Sequence, residues 1–335
     1  MWYSYNKINT YNGLFNFIIS NRGGGKTFGA IENGIKRFLK TGKQFMYVRR
    51  YQTEFEEIDS FFDSIIASGK FPKLEFEVVK GKTRKFLING KCCGYYMALS
   101  VSQKKKSVSF PNVDRIYFDE FIIDKSIPYL PNEVNKFLDL YETVDRKRDE
   151  TKVYFLANNV SIVNPYFTYF NIVPRENERF SVFKDGLIVV EMFTDNEYIE
   201  SKKKTKFGKL ISGTTYGNFA IENKSLCDND NFILKKKPTK SNFYFSIKAD
   251  SFEVGFWECK SEGIIFCNKQ IDLTSNRRYT ISKNNHAPNF IMISSLNRCY
   301  EIKIMKKYFS YGLLRFQDQN IKHEVYKIMG LLNIK

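Results

Sequence analysis

Ser20-Asn21-Arg22-Gly23-Gly24-Gly25-Lys26-Thr27 is the stretch on which the reading of this 335-residue chain turns. The apolar run Leu14 to Ile19 precedes it, and Thr27 to Leu39, with apolar residues at helical spacing, follows it. A glycine-rich turn between strand and helix, ending in Gly-Lys-Thr, is the context of a phosphate-binding P-loop. Gly23, Gly24 and Gly25 let successive N–H groups point at phosphate oxygens, and the helix N-terminus adds its positive dipole end. Lys26 is expected to reach the β- and γ-phosphates and Thr27 to hold Mg²⁺, so ATP and Mg²⁺ are the expected ligands. The usual pattern opens with glycine, and this chain has Ser20 there.

A second element completes the site. Arg115 to Phe118 is a short apolar run that ends in Asp119-Glu120. Asp119 is expected to bind Mg²⁺ together with Thr27, and Glu120 to orient and deprotonate the attacking water. Hydrolysis of a phosphoanhydride also needs positive charge at the transition state. Arg146 is the first candidate for an arginine finger and Arg148 the second. Asn158 ends the run Lys152 to Ala157, where its amide would sense the γ-phosphate and couple hydrolysis to motion; Asn159 competes for that role. Arg49 and Arg50, which end the run Gln44 to Val48, are weaker candidates for lining the nucleotide or meeting a neighbouring subunit.

Outward from these motifs, the first 160 residues alternate strand-like runs with helical stretches, including Pro131 to Thr143, as an α/β domain with a largely parallel sheet does. Glu75 to Ala98 reads instead as an inserted hairpin turning at Asn89-Gly90. We expect a P-loop ATPase domain over residues 1–197, a linker over 198–229 and a smaller basic mixed α/β domain over 230–335. That last domain should contain strands at Phe243 to Ile247, Val254 to Trp257 and Gly263 to Phe266 and a helix from Ile321.

The apolar runs fall well short of the roughly 20 residues that a spanning helix requires, so no membrane contact is expected. Met1 to Asn12 lacks the basic and apolar regions of a secretory signal, which points to the cytoplasm. Six cysteines without a CxxC pair, far from the two histidines, argue against a zinc site or a disulfide framework. Charge is distributed unevenly within the overall +17: residues 201 to 335 hold 24 basic and 11 acidic residues. A field of that sign selects polyanions, nucleic acid first. Lys202, Lys203, Lys204, Lys235, Lys236, Lys237, Arg277, Arg278, Lys306 and Lys307 are the candidate phosphate contacts, with aromatic neighbours but no base-reading motif.

The loop 21–27, Gln44 to Tyr51, Phe118 to Phe121 and Val163 to Phe167 together make the chain resemble the DNA-packaging ATPases of small Picovirinae-type tailed phages, relatives of terminase large subunits. Weaker likeness runs through Lys206 to Ile211 and Tyr311 to Phe316 to the end. The resemblance implies a ring ATPase of the additional-strand catalytic glutamate class, a homo-pentamer on the portal of an empty prohead that drives double-stranded DNA inward from the host cytoplasm. It matches Lys26, Asp119, Glu120 and Arg146 to the loop lysine, metal aspartate, catalytic glutamate and trans-acting finger. A structured packaging RNA bridges motor and prohead in relatives and is a candidate partner here. The basic domain resembles a degenerate RNase H-like nuclease. Asp250, Glu253, Glu258 and Asp272 form no recognisable two-metal pattern there, so DNA should be held and not cut. A helicase or helicase loader would share this site and this charge, and so would a nucleotide-switched scaffold.

Overall fold

The computed structural model describes residues 3–81, 84–105, 108–123, 128–158, 164–174, 178–193, 196–214, 217, 232–249, 252–293 and 299–332. The chain divides into two units, Met1–Cys227 and Asp228–Lys335.

The first unit begins with a short helix α1 (Asn6–Thr10) and the strand β1 (Phe15–Ser20), which runs into α2 (Lys26–Thr41) and then β2 (Gln44–Arg49). All six residues of β1 are buried, because in a parallel sheet covered on both faces every side chain meets protein. Phe15, Phe17 and Ile19 enter one core and Ile18 the other, following the alternation of a strand. After α3 (Asp63–Ala67) comes the insertion, formed by β3 (Phe76–Val79), β4 (Lys85–Ile88) and β5 (Lys91–Ala98). Asn89 and Gly90 join β4 to β5 with φ of 49° and 72°, the pair of positive angles a tight hairpin turn needs.

Then follow β6 (Val113–Asp119), α4 (Glu133–Asp145), β7 (Lys152–Asn158), α5 (Pro165–Phe170), and the hairpin of β8 (Phe180–Phe183) and β9 (Ile188–Phe193). The nine strands lie in the order β3-β4-β5-β2-β6-β7-β1-β9-β8. From β5 to β9 all neighbours are parallel, whereas β3-β4, β4-β5 and β8-β9 are antiparallel. One core is largely aromatic: Phe17 stacks on Phe155 at 4.4 Å and Phe118 on Phe137 at 5.5 Å. Among the described residues, the first part of the stretch expected to be a linker carries two helices, α6 (Asn196–Lys204) and α7 (Lys206–Ile211).

In the second unit β10 (Asn242–Ala249), β11 (Phe252–Cys259) and β12 (Ile264–Asn268) form an antiparallel triple. The short strands β13 (Arg278–Thr280) and β14 (Ile291–Met292) extend it in parallel beyond β10. After α8 (Tyr300–Ser310), β15 (Leu314–Phe316) joins β12 in parallel, and α9 (Gln319–Leu331) ends the unit. The helices bury Ile302, Met305, Val325, Ile328 and Met329 against Phe245, Ile247 and Phe256 of the sheet.

Candidate nucleotide site

Strand order brings the two motifs together. β7 lies between β1 and β6, with Ser20 level with Asn158 and Asp119 level with Leu156. The loop after β1, the acidic end of β6 and the end of β7 therefore open at one edge of the sheet, where parallel α/β sheets bind ligands. They surround a cavity of about 290 Å³ lined by residues 22–28, Asp119, Glu120, Ala157 and Asn158.

The loop has the shape of a phosphate cradle. Gly23 and Gly25 have φ of 86° and 79°. A Cβ on Gly23 would lie 2.2 Å from the Tyr198 hydroxyl, so a larger residue would have to displace that ring as well as adopt a strained φ. Lys26 is buried, and its ammonium donates to Ser20 Oγ at 2.8 Å, the Asn21 carbonyl at 3.1 Å and Asn158 Oδ1 at 3.1 Å. These acceptors are neutral. Burial lowers the Lys26 pKa to about 8, while the charges of Asp119 and Glu120 pull it upward. Serine at the usual glycine position thus supplies an acceptor for the loop lysine. The Asn21 amide is buried with neither polar atom hydrogen-bonded among the described residues. A charged lysine on neutral acceptors, an unpartnered amide and a glycine-lined hollow all fit an incoming phosphate chain.

Asp119 stands on the opposite wall of the cavity. Its Oδ2 accepts from the Thr27 hydroxyl at 2.7 Å and the Tyr47 hydroxyl at 2.8 Å, and its Oδ1 accepts from the Glu120 N–H at 3.0 Å. Thr27 and Asp119 together offer the hard oxygens that Mg²⁺ takes.

Glu120 has φ of 54°, a left-handed turn that costs a residue of this kind on the order of 1 kcal/mol and swings its side chain out of the ladder toward the cavity. The carboxylate accepts from Arg49 at 2.8 Å. Surrounding protein raises its pKa above the ordinary value by desolvation, with Arg49 opposing that shift.

The two finger candidates separate clearly. Arg148 donates to the carbonyls of Asp145, Phe110, Val113, Val144 and Pro111, which makes it a staple between chain segments. Arg146 is exposed, with a bond to the Val108 carbonyl at 3.2 Å. Both lie where β6 begins, while Glu120 follows its far end, about 20 Å away for seven residues of strand. Arg146 cannot serve the Glu120 of its own chain.

Sequence reasoning missed Tyr47 and the N-terminal segment. Tyr3 donates its N–H to the Gly24 carbonyl at 3.2 Å, and the Tyr5 hydroxyl donates to the Lys26 carbonyl at 3.2 Å. The Tyr3 hydroxyl bonds buried Glu191, which also accepts from Arg179 at 2.7 Å. No motif marks these tyrosines, which reach the loop only through folding. Asn159 lies outside the described residues.

Of the basic candidates, Lys202, Lys203 and Lys204 lie in the last turn of α6, with the Lys202 ammonium 5.3 Å from the Tyr198 ring centre. Lys235, Lys236, Arg277, Lys306 and Lys307 are exposed or half-buried, and Lys237 sits on the Trp257 ring, 3.3 Å from its centre. Arg278 departs from the expectation. It is buried, forked on Glu253 at 2.8 and 3.1 Å and set over Phe290, so its charge is held inside the unit. Asp272 caps its own turn by accepting from Thr274, and Asp250 lies outside the described residues.

A glycine-rich loop between a parallel strand and a helix, facing a strand-end Asp-Glu pair across one intervening strand, defines the P-loop nucleotide-hydrolase class. Within that class, the chain belongs to the podovirus DNA encapsidation protein (Gp16) family, whose model matches residues 1–333. It is 37% identical over 336 residues to the DNA packaging protein of Bacillus phage phi29, covering 100% of this chain and 99% of that one. The structure matches a chain of the bacteriophage phi-29 viral genome packaging motor assembly with a TM-score of 0.79, at 35% identity and 99% coverage of both chains. It also matches the crystal structure of the N-terminal domain of the phi29 DNA packaging ATPase, with a TM-score of 0.52 and 42% identity over 57% of this chain and 96% of that one.

Proposed function

We propose that this chain is the ATP-hydrolysing motor subunit that packages double-stranded viral DNA into a preformed prohead. The observation that carries the reading is the meeting of Lys26, Thr27, Asp119, Glu120 and Asn158 at one cavity in a chain of the DNA encapsidation family. Lys26 grips the terminal phosphates. Thr27 and Asp119 would hold Mg²⁺, which would neutralise charge on the phosphate oxygens. Glu120 accepts the proton of the attacking water, and the desolvation that raises its pKa suits it to that role. Asn158, bonded to Lys26, is the candidate coupling residue.

The remote position of Arg146 supports its use by a neighbouring subunit, in a ring for which we adopt the pentamer. The motor docks on the prohead portal, with a packaging RNA as a further candidate partner. The basic second unit, with its antiparallel triple extended by parallel strands, is read as a vestigial RNase H-like clamp on DNA backbones. Its acid Glu253 is neutralised by Arg278, which supports holding without cutting.

The test supplies proheads with this protein, DNA and ATP and measures DNA protected from added nuclease. Protection that needs ATP and is lost with Lys26→Ala is expected. Hydrolysis without protection would leave a nucleotide-driven protein that does not package.

A further inference from the structure

Arg50 follows Arg49 at the end of β2, and strand alternation sends the two side chains to opposite faces of the sheet. Arg49 reaches the carboxylate of Glu120. Arg50 reaches the backbone of the same residue from inside the core. Its guanidinium donates to the Glu120 carbonyl at 2.9 Å and the Phe121 carbonyl at 2.8 Å. The same group forks on the Glu133 carboxylate at 2.7 and 2.9 Å.

We infer that Arg50, locked by Glu133, is a positioning residue that holds Glu120 in its left-handed turn and so sets where the catalytic carboxylate stands. The inference rests on the reading of Glu120 as the base. Arg50 is 1% exposed, and Nε, Nη1 and Nη2 all donate to the protein, so it cannot touch nucleotide. Glu133 is fixed in turn, accepting from the Tyr166 hydroxyl at 3.1 Å and the Leu130 N–H at 2.9 Å. The Tyr129 and Phe118 rings lie 4.9 and 5.6 Å from the guanidinium.

Stability alone does not account for such a group, because buried ion pairs are often no better than apolar residues of the same volume. Geometry does account for it. Strand pairing ends at Asp119, and the next two carbonyls turn inward, where a planar fork can serve both while holding a carboxylate. Lysine, a single point of charge, cannot span that set.

Arg50→Lys is therefore expected to lower kcat by about 10- to 100-fold, the loss that a displacement near 1 Å produces. The dissociation constant for ATP should stay within about threefold, since the P-loop is untouched. Glu133→Gln, which keeps one acceptor of the fork, should reduce kcat less, and it takes the place of Arg50→Lys if that variant does not fold. The deciding measurement repeats each change in a Glu120→Gln background, in single turnover. A residue acting only through Glu120 adds no further loss there, whereas a general structural defect lowers the residual rate by the same factor as before. If Arg50→Lys keeps kcat within twofold, or multiplies the Glu120→Gln defect, the positioning role is wrong and Glu120 stands. If Glu120→Gln itself hydrolyses ATP normally, the base assignment fails first.

Discussion

Asp119 in the first unit and Glu253 in the second are both acids carried on strands of a central sheet, and their partners make opposite uses of them. Asp119 accepts from the hydroxyls of Thr27 and Tyr47 and from one amide, with the Arg49 guanidinium standing off at 3.8 Å, and faces a cavity. Glu253 accepts from the Ser246 hydroxyl at 2.6 Å but also from both arms of the buried Arg278. Neutral donors orient a carboxylate and leave its charge available to a metal ion; a guanidinium fork neutralises it. The difference leaves Asp119 open toward a cavity and closes Glu253 into an ion pair, in keeping with the function proposed above.

The largest effect expected tests the catalytic side. Glu120→Gln should lower hydrolysis by about 10² to 10⁴-fold while ATP still binds, as for loss of a general base. Glu253→Gln should leave hydrolysis within about twofold, since no nucleotide chemistry is assigned to the second unit. Arg146→Ala should cost about 10³-fold or more on its own, the scale of an arginine finger. Rings mixing Arg146→Ala with Glu120→Gln chains should recover part of the rate, because some interfaces then hold both an intact base and an intact finger. Steady-state ATPase assays on demonstrably mixed rings read this directly, and a complete lack of recovery would remove Arg146 from the neighbour's site.

Next in size is the loop lysine. Lys26→Ala should weaken ATP binding by about 100-fold, the value of roughly two charge-assisted bonds. The wild-type chain should also show a pH signature. With its pKa near 8, Lys26 in the free protein loses its proton as pH rises through that value, and phosphate favours the charged form. Affinity should therefore fall above pH 8, and binding at pH 8.5 should take up a proton. Calorimetry in two buffers of different ionisation enthalpy measures that uptake.

On the structural side, Arg278→Ala should destabilise the second unit by about 3 kcal/mol, because it strands a largely buried Glu253. Urea unfolding of the full chain reads the loss, and a wild-type transition would mean the pair is not structural. The smallest effect belongs to the lysines at the surface. Replacing Lys235, Lys236 and Lys306 with alanine should flatten the salt dependence of duplex DNA binding by a log-log slope of about 0.9 for each phosphate that is no longer neutralised. DNA should remain uncut in Mg²⁺ or Mn²⁺.

Elements written in contiguous residues were legible in advance. The P-loop needs only neighbours in sequence: a strand to deliver it, glycines to turn it and a helix to receive it. The strands expected at Gln44, Arg115 and Lys152 extend only one or two residues beyond their apolar runs, because the runs are what the sheet buries. Asn89-Gly90 was equally readable, since few dipeptides accept two positive φ angles. Charge was readable as a total but not residue by residue. Arg277 and Arg278 are chemically alike in sequence, yet Arg277, just before β13, is exposed, while Arg278, the first residue of that fully buried strand, is held on Glu253.

What the sequence by itself determined is the chemistry at the nucleotide: the cradle of residues 20–27 and the acids Asp119 and Glu120, each specified by local backbone geometry and residue type. Only the tertiary structure decided what surrounds them. Tyr47, Arg49 and Arg50 reach the acids because β2 pairs with β6, and Asn158 reaches Lys26 because β7 separates β1 from β6. Tyr3 and Tyr5 reach the loop because the N-terminal segment packs back upon it. Lateral strand order and long-range packing depend on how all the buried faces are satisfied together, and no local pattern of residues encodes that.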